Sequence, residues 1–299
     1  LLTGKFKQKR ASRRGALFIV LIFISQFTFG AIFGFVPDTA LAEECPADHL
    51  DETVTLSRVI DGDTIRLQDG RSVRLIGINT PELAHHGQPL EPMAKEARQA
   101  LISLLDKSRP MGNSNSGSNI KVGLRYGAER KDRYGRTLAH VFTENGQSVE
   151  AALLVTGMGA HIMIPPNDWH TACYETAEQK ARQAHEGVWR SIYRPIPVVK
   201  VPRDTHGFRV IIGRVIKVGE SRRSIWLDFA GRPGEGPREG VAVRISRKDL
   251  HYFKQWQPRD LKHRKIIVEG WLYPYKKQLV VHVRHPSAVE LVAEHQFNQ

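Results

Sequence analysis

The feature that most limits the fold is a pair of Asp-Gly turns, Asp61-Gly62 and Asp69-Gly70, each set between short apolar-rich runs. Asp-Gly suits the positive backbone angles of tight hairpins, so antiparallel strands are expected on either side of both turns. Residues 54–60, 64–67 and 72–78 are the three strands so delimited. A helix is predicted over 92–105, with apolar Met93, Ala97, Leu101, Leu104 and Leu105 at helical spacing and Pro92 in the first turn. Residues 112–119 read as a loop, 120–124 and 138–143 as strands, and 149–156 and 168–186 as helices. Five strands with a helix inserted after the third is the plan of an OB-type barrel.

A Pro-rich stretch at 193–203 reads as an extended linker. Beyond it the plan recurs: strands at 209–218, 225–229 and 241–246, a short helix at 248–256, then strands at 265–272 and 279–284. The expected architecture is therefore a β-barrel with helices (α+β). An OB-fold domain over residues 50–192 precedes a second, smaller OB-like barrel over 204–292.

Charge separates the two units. Residues 43–199 hold 18 bases and 20 acids, whereas residues 200–299 hold 20 bases and 10 acids. A polyanion would be drawn first to the C-terminal unit. There Trp226, Phe229, Tyr252, Trp256, Trp271, Tyr273 and Tyr275 interleave with basic residues. They read either as a stacking platform for single strands or as barrel core beneath a solvated basic face. Arg222-Arg223 and Lys276-Lys277 sit where hairpin tips are expected. Attachment of the unit to anionic lipid or cell-wall polymer is a further reading.

The N-terminus has the layout of an export signal. Residues 5–14 carry six positive charges and no acid, residues 15–37 are uncharged, and Ala40-Leu41-Ala42 is a small-x-small cleavage pattern. Residues 1–42 are expected to be a signal peptide. An uncleaved membrane anchor through residues 15–37 is the competing reading. Either implies a periplasmic or secreted protein, the second one tethered to the inner membrane. The two cysteines, Cys45 and Cys173, could pair in an oxidising compartment, which spacing alone leaves open.

The residues that carry chemistry are Asp61-Gly62-Asp63-Thr64, Arg74, Asn79-Thr80-Pro81-Glu82 and Asp132-Arg133-Tyr134-Gly135-Arg136. Hydrolysing a phosphodiester needs oxygen ligands for a hard cation, a carboxylate to direct water, and planar guanidinium groups to match phosphate oxygens. These stretches supply all three. Asp-Gly-Asp-Thr also occurs in haloacid dehalogenase-type phosphatases, but that fold needs a parallel sheet with crossover helices, and here a hairpin follows. His85-His86 are read as loop residues beside the site, since no second cluster has zinc-ligand spacing.

Residues 59–64 (VIDGDT), 73–82 (VRLIGINTPE) and 132–139 (DRYGRTLA) resemble, in order and spacing, the three signature stretches of the staphylococcal nuclease (thermonuclease) family. The resemblance implies an enzyme cutting DNA and RNA with calcium, the 5′ oxygen leaving and a 3′-phosphate remaining. It implies Asp63 as a calcium ligand, Thr80 as a carbonyl ligand and Asp61 close to the metal in the outer shell. Glu82 would position or activate water, Arg74 and Arg136 would hold the scissile phosphate, and Arg133 and Tyr134 would lie near bound nucleotide. It implies no protein partner.

Two positions depart from that pattern. Asn79 stands where the best-known member has a second metal-binding aspartate, which predicts weaker calcium binding or use of another divalent ion. Met163 stands where that enzyme has a nucleotide-binding tyrosine. A catalytically weak or silent nucleic-acid-binding protein of the cell envelope is the alternative that Asn79 favours.

Overall fold

The computed structural model describes residues 45–84, 89–108, 120–235 and 239–293. Residues 1–42, His85-His86 and residues 112–119 lie outside them. Among the described residues no helix is long and apolar enough to cross a membrane.

The first barrel is built from β1 (Glu52–Val59), β2 (Thr64–Leu67), β3 (Ser72–Leu75), β5 (Lys121–Lys131) and β6 (Thr137–Phe142). The two Asp-Gly turns make β1, β2 and β3 an antiparallel run, with Arg58 opposite Arg66 and Thr64 opposite Arg74. β3 then pairs in parallel with β6, β6 antiparallel with β5, and β5 with β1, which closes the sheet. Ile65, Leu67, Val73, Leu75, Val122 and Val141 are buried inside it. Helix α1 (Ala94–Lys107) follows β3, and its Ala97, Leu101 and Leu105 recur every fourth residue to form one buried stripe. Helices α2 (Val149–Val155) and α3 (Thr171–Ala184) pack against each other; α2 is capped by Ser148, whose hydroxyl accepts from the Ala151 amide.

The third predicted strand ends early. Gly77 takes a positive φ of 87°, and a Cβ there would lie 2.6 Å from the Tyr174 ring. The chain turns away from the barrel, and the two-residue strand β4 (Ile78–Asn79) pairs instead with β7 (Ala160–His161). Pro92 lies just before α1 rather than in its first turn, because Met93 is the left-handed N-cap. β5 runs to Lys131, seven residues past the predicted strand end, through a charged stretch that alternation could not identify. Cys45 and Cys173 are joined by a disulfide, Cα to Cα 5.8 Å, which ties the segment before β1 to α3.

The second barrel repeats the topology. Its strands are β9 (Gly207–Glu220), β10 (Ser224–Phe229), β11 (Val241–Ser246), β12 (Lys265–Tyr275) and β13 (Gln278–Val283). β9, β10 and β11 are sequentially antiparallel, β11 pairs in parallel with β13, and β12 joins β13 to β9. The parallel β11–β13 pair matches β3–β6 of the first barrel. The predicted helix at 248–256 is instead a 3-10 turn over Arg247–Tyr252, followed by a second over Pro258–Leu261. Pro258 cannot donate to a continuing helix.

The stretch expected to be a linker is not free of the second barrel. β8 (Ile196–Pro197) pairs with β9, and Val198 and Val201 are buried in the second core. A closing strand β14 (Val289–Leu291) pairs with β12. Ala160, Ala181, Val188, Trp189, Tyr193, Phe208 and Val210 form an apolar cluster shared by the two barrels.

Candidate active site

The site is built on the β1–β2 turn, the end of β3, the segment after β4 and the β5–β6 hairpin. Gly62 is required where the turn meets its neighbours: a Cβ there would lie 2.6 Å from Thr80 Oγ1 and 2.8 Å from Ala97 Cβ. That close approach presses the acidic turn onto the 79–82 segment. Asp61, Asp63, Thr64, Arg74, Asn79 and Thr80 are all buried.

Asp63 is the hub. Its Oδ2 accepts from the Thr80 amide at 2.9 Å and pairs with Arg74 Nη2 at 2.9 Å, while its Oδ1 accepts from Thr64 Oγ1 at 3.2 Å. Asp61 Oδ1 accepts from the Asp63 amide at 3.1 Å, which fixes the turn. Arg74 donates from Nη1 to the carbonyls of Leu75 (2.6 Å) and Ile78 (2.8 Å) and from Nη2 to Asn79 Oδ1 at 3.4 Å. Its guanidinium thereby fastens the break between β3 and β4.

Arg136 is held differently. Asp132 accepts from its backbone amide (2.9 Å) and from its Nε (2.7 Å), and its Nη1 reaches Thr64 Oγ1 at 3.4 Å. Nη2 has no partner among the described residues, and the side chain is 32% exposed. Tyr134, 68% exposed at the hairpin tip, stands 5.6 Å from the Arg136 guanidinium and accepts from Arg133 Nη2 at 2.6 Å. Met163 is buried, so no ring is offered from that position.

Glu82 stands on the exposed rim with its carboxyl turned towards the site. Burial of that carboxyl and the charge of Asp63 push its pKa up to about 7, against the opposing pull of Arg74 and Arg136. Burial, then the charges of Asp63 and Glu82, push Asp61 up to about 7 as well. Three carboxylates therefore crowd one another, and two of them resist ionising. Such a set of hard oxygens suits a divalent cation that relieves the repulsion and keeps part of its water shell. Among the described residues no three acids, histidines or cysteines stand close enough to cage an ion alone. Water and the Thr80 carbonyl would complete the coordination. Asn79 Oδ1 faces Arg74, which leaves it a weaker claim on a metal than a carboxylate would have.

The structure thus brings together Asp61, Asp63, Arg74, Asn79, Thr80, Glu82 and Arg136, and sets Arg133 and Tyr134 at one rim. It also adds residues that the sequence did not single out. Glu91 Oε2 accepts from the Glu82 amide at 2.9 Å, and the Glu91 amide donates to the Glu82 carbonyl at 3.0 Å. Tyr193, 3% exposed, places its hydroxyl next to Asn79. Glu91 carries no motif, and Tyr193 arrives from beyond α3, so neither had a local signal.

A closed five-stranded barrel gathers acids and arginines at one edge, a combination that suits a phosphate ester. Comparison with known proteins agrees. Residues 72–191 match the family model described as staphylococcal nuclease homologue. The chain is 32% identical over 161 residues to the thermonuclease of Staphylococcus intermedius, covering 53% of this chain and 88% of that protein. It is 32% identical over 142 residues to the thermonuclease of Staphylococcus hyicus, covering 46% and 76%. Endonuclease YhcR of Bacillus subtilis (strain 168) is 27% identical over 217 residues, covering 70% of this chain and 17% of that protein. The chain belongs to the staphylococcal nuclease family. It is a nuclease, a hydrolase of phosphodiester bonds.

Proposed function

We propose that the protein is a metal-dependent phosphodiesterase that cuts DNA and RNA outside the cytoplasm. The observation that carries this reading is the joint placement of Asp63, Glu82 and Arg136 around one acidic turn. A carboxylate turned into such a site suits a general base. Glu82 directs water at the phosphorus and takes its proton. The new P–O bond forms as the bond to the 5′ oxygen breaks, and that oxygen takes a proton from solvent water, leaving a 3′-phosphate and a 5′-hydroxyl. Arg136, with free N–H groups and partial exposure, grips the equatorial oxygens in the transition state. Arg74 contributes charge from behind Asp63, and Arg133 and Tyr134 flank the bound nucleotide. Asp63, the Thr80 carbonyl and water, with Asp61 and Asn79 close by, would hold a calcium or similar ion. When bound, such an ion supplies charge neutralisation at the phosphate.

Export is part of the same proposal. The basic, apolar, small-x-small order of residues 1–42 supports it, as does a disulfide between Cys45 and Cys173, a bond that persists in oxidising compartments. The basic second barrel is proposed to hold substrate.

The test is digestion of single-stranded DNA and of RNA with calcium and with chelator, by the wild type, Glu82→Gln and Arg136→Ala. Metal-dependent cutting that falls about 100-fold or more in each variant is expected. Salt-sensitive binding without cutting by the wild type under any divalent ion would replace this reading with that of a silent binder, for which Asn79 is the structural reason.

A further inference from the structure

The aromatic residues that interleave with bases in the second barrel do not share one environment. Phe229 is core, and Tyr252 and Trp256 pack onto that core. Trp271 meets Phe208 edge-on at 5.3 Å, beside the cluster shared with the first barrel. Trp226 and Tyr275 differ from these. On β10, Ile225, Leu227 and Phe229 point inward and are buried, so Trp226 points outward by alternation. Its ring stacks with Tyr275 at 5.7 Å and 26°, and Tyr275 is 43% exposed. The partner of Trp226 on β9 is Gly219, where a Cβ would meet only the Trp226 Cβ, at 4.0 Å, so the space there is open. A barrel needs no outward tryptophan for its core.

The charge around this pair is open, whereas part of the barrel's charge is neutralised: Arg247 and Arg259 pair with Glu220, and Arg203 and Arg232 with Glu235. Lys277 pairs with Glu239 at 3.4 Å. Around the stacked rings, Arg244 lies 5.9 Å from the Trp226 ring and donates to Ser224 Oγ at 2.9 Å, and Lys276 lies 5.7 Å from the Tyr275 ring. Lys217 is exposed on β9 opposite Asp228, and Arg222 and Arg223 are exposed at the β9–β10 tip. None of these five cations forms an ion pair among the described residues. Asp228, the outward acid of β10, is engaged by Gln278 Nε2 at 3.4 Å.

We propose that this face is a binding surface for single-stranded nucleic acid, with bases continuing the Trp226–Tyr275 stack and phosphates meeting Arg222, Arg223, Arg244, Lys217 and Lys276. It rests on the nuclease reading only in that the bound strand is the substrate. Every base has a π-face, so such a stack is tolerant of sequence, and uncommitted cations suit a phosphodiester chain. A duplex buries its base faces and could use only the cations. An anionic lipid surface would use the cations too, but has no partner for a stack of flat rings.

The experiment compares variants within full-length Glu82→Gln protein in the presence of chelator, using anisotropy of a short labelled oligothymidylate. Trp226→Ala and Tyr275→Ala should each weaken binding by about 5- to 100-fold, while Trp226→Phe should retain most of it. Arg222→Glu with Arg223→Glu should flatten the salt dependence. Thermal melting of each variant must match the parent, and exposed Tyr275→Ala carries the stacking test where Trp226→Ala does not melt like it. Affinity unchanged in Trp226→Ala, Tyr275→Ala and the double-charge variant would overturn the proposal. So would phosphatidylglycerol vesicles that bind tighter than the oligonucleotide and compete it off through the same residues. Retained cleavage by Glu82→Gln with calcium would count against Glu82 as the general base alone, since binding is scored without cleavage.

Discussion

Arg74 and Arg136 share a functional group but are placed for different work. Arg74 is nearly enclosed and already donates to two carbonyls, to Asn79 and to Asp63. Little of it remains for a ligand. Arg136 is fastened by its Nε to Asp132 and by Nη1 to Thr64, and its side chain stays partly exposed. Removing one partner of a buried ion pair leaves an uncompensated charge, at a cost of about 3–5 kcal/mol. Arg74→Ala should therefore lower the melting temperature strongly, because Asp63 is only 1% exposed. Arg136→Ala should melt close to the wild type, within about 1 kcal/mol, because its pair with Asp132 is partly solvated. Cleavage should fall in both. Melting curves recorded beside digestion rates separate the two roles, and equal destabilisation would refute the division.

At the scale of elements, α2, α3 and β6 meet around a buried polar chain set within their apolar packing. Glu150, wholly buried, accepts from the Val141 amide at 2.8 Å and lies within 3.3 Å of Ser148 Oγ. Tyr174 OH lies 3.5 Å from Glu150 and 2.9 Å from His140 Nδ1. Burial pushes Glu150 up to about 8 and His140 down to about 3, so the chain is neutral in the folded protein at pH 7. The unfolded glutamate ionises near its ordinary value of 4.5. Between there and pH 8 the folded state holds the extra proton, so stability is full below 4.5 and declines as pH rises to 8. His140 acts oppositely and only below its ordinary value of 6.5, where the unfolded state takes up the proton. From 6.5 to 8 the glutamate slope therefore stands without it, at up to ~1.4 kcal/mol per pH unit. Glu178, also raised to about 8, adds a similar slope that Glu150→Gln leaves in place. Chemical denaturation of Glu150→Gln at pH 6.5 and pH 8 should show a shallower fall than the wild type; an unchanged slope would mean that Glu150 is ionised in the fold.

The same elements show what was legible in the sequence. The strands around Asp61-Gly62 and Asp69-Gly70 were, because turn chemistry and alternation agree there. The break at Gly77 was not, because it is dictated by the Tyr174 ring arriving from α3. β4 and β7, two residues each, are too short to have a period. Asp61, Asp63, Arg74, Asn79, Thr80 and Glu82 were legible as a site because they fall within one hairpin and the segment that follows. Glu91 and Tyr193 were not, because what they touch is decided by how the chain packs far from their neighbours in sequence.

At the scale of the whole molecule, the second barrel is more than a tethered accessory. Arg182 of α3 meets Glu178 at 2.9 Å and Glu269 of β12 at 2.6 Å, and lies 4.0 Å from the Trp189 ring, beside the shared apolar cluster. Closer to the chemistry, Arg209 of β9 donates to Glu91 Oε1 at 3.3 Å, and the other oxygen of Glu91 holds the Glu82 amide. One carboxylate thus links the second barrel to the backbone of the proposed general base. Arg209 touches no reacting atom, so its role is positioning. A half-exposed pair of this kind contributes at most about 1 kcal/mol, which corresponds to about a fivefold change in rate. Arg209→Ala should lower kcat by about two- to fivefold with KM nearly unchanged, and Arg209→Lys should recover part of the loss. If the effect falls on KM instead, Arg209 contacts substrate as part of the basic surface, and the two barrels cooperate through the bound strand rather than through Glu91.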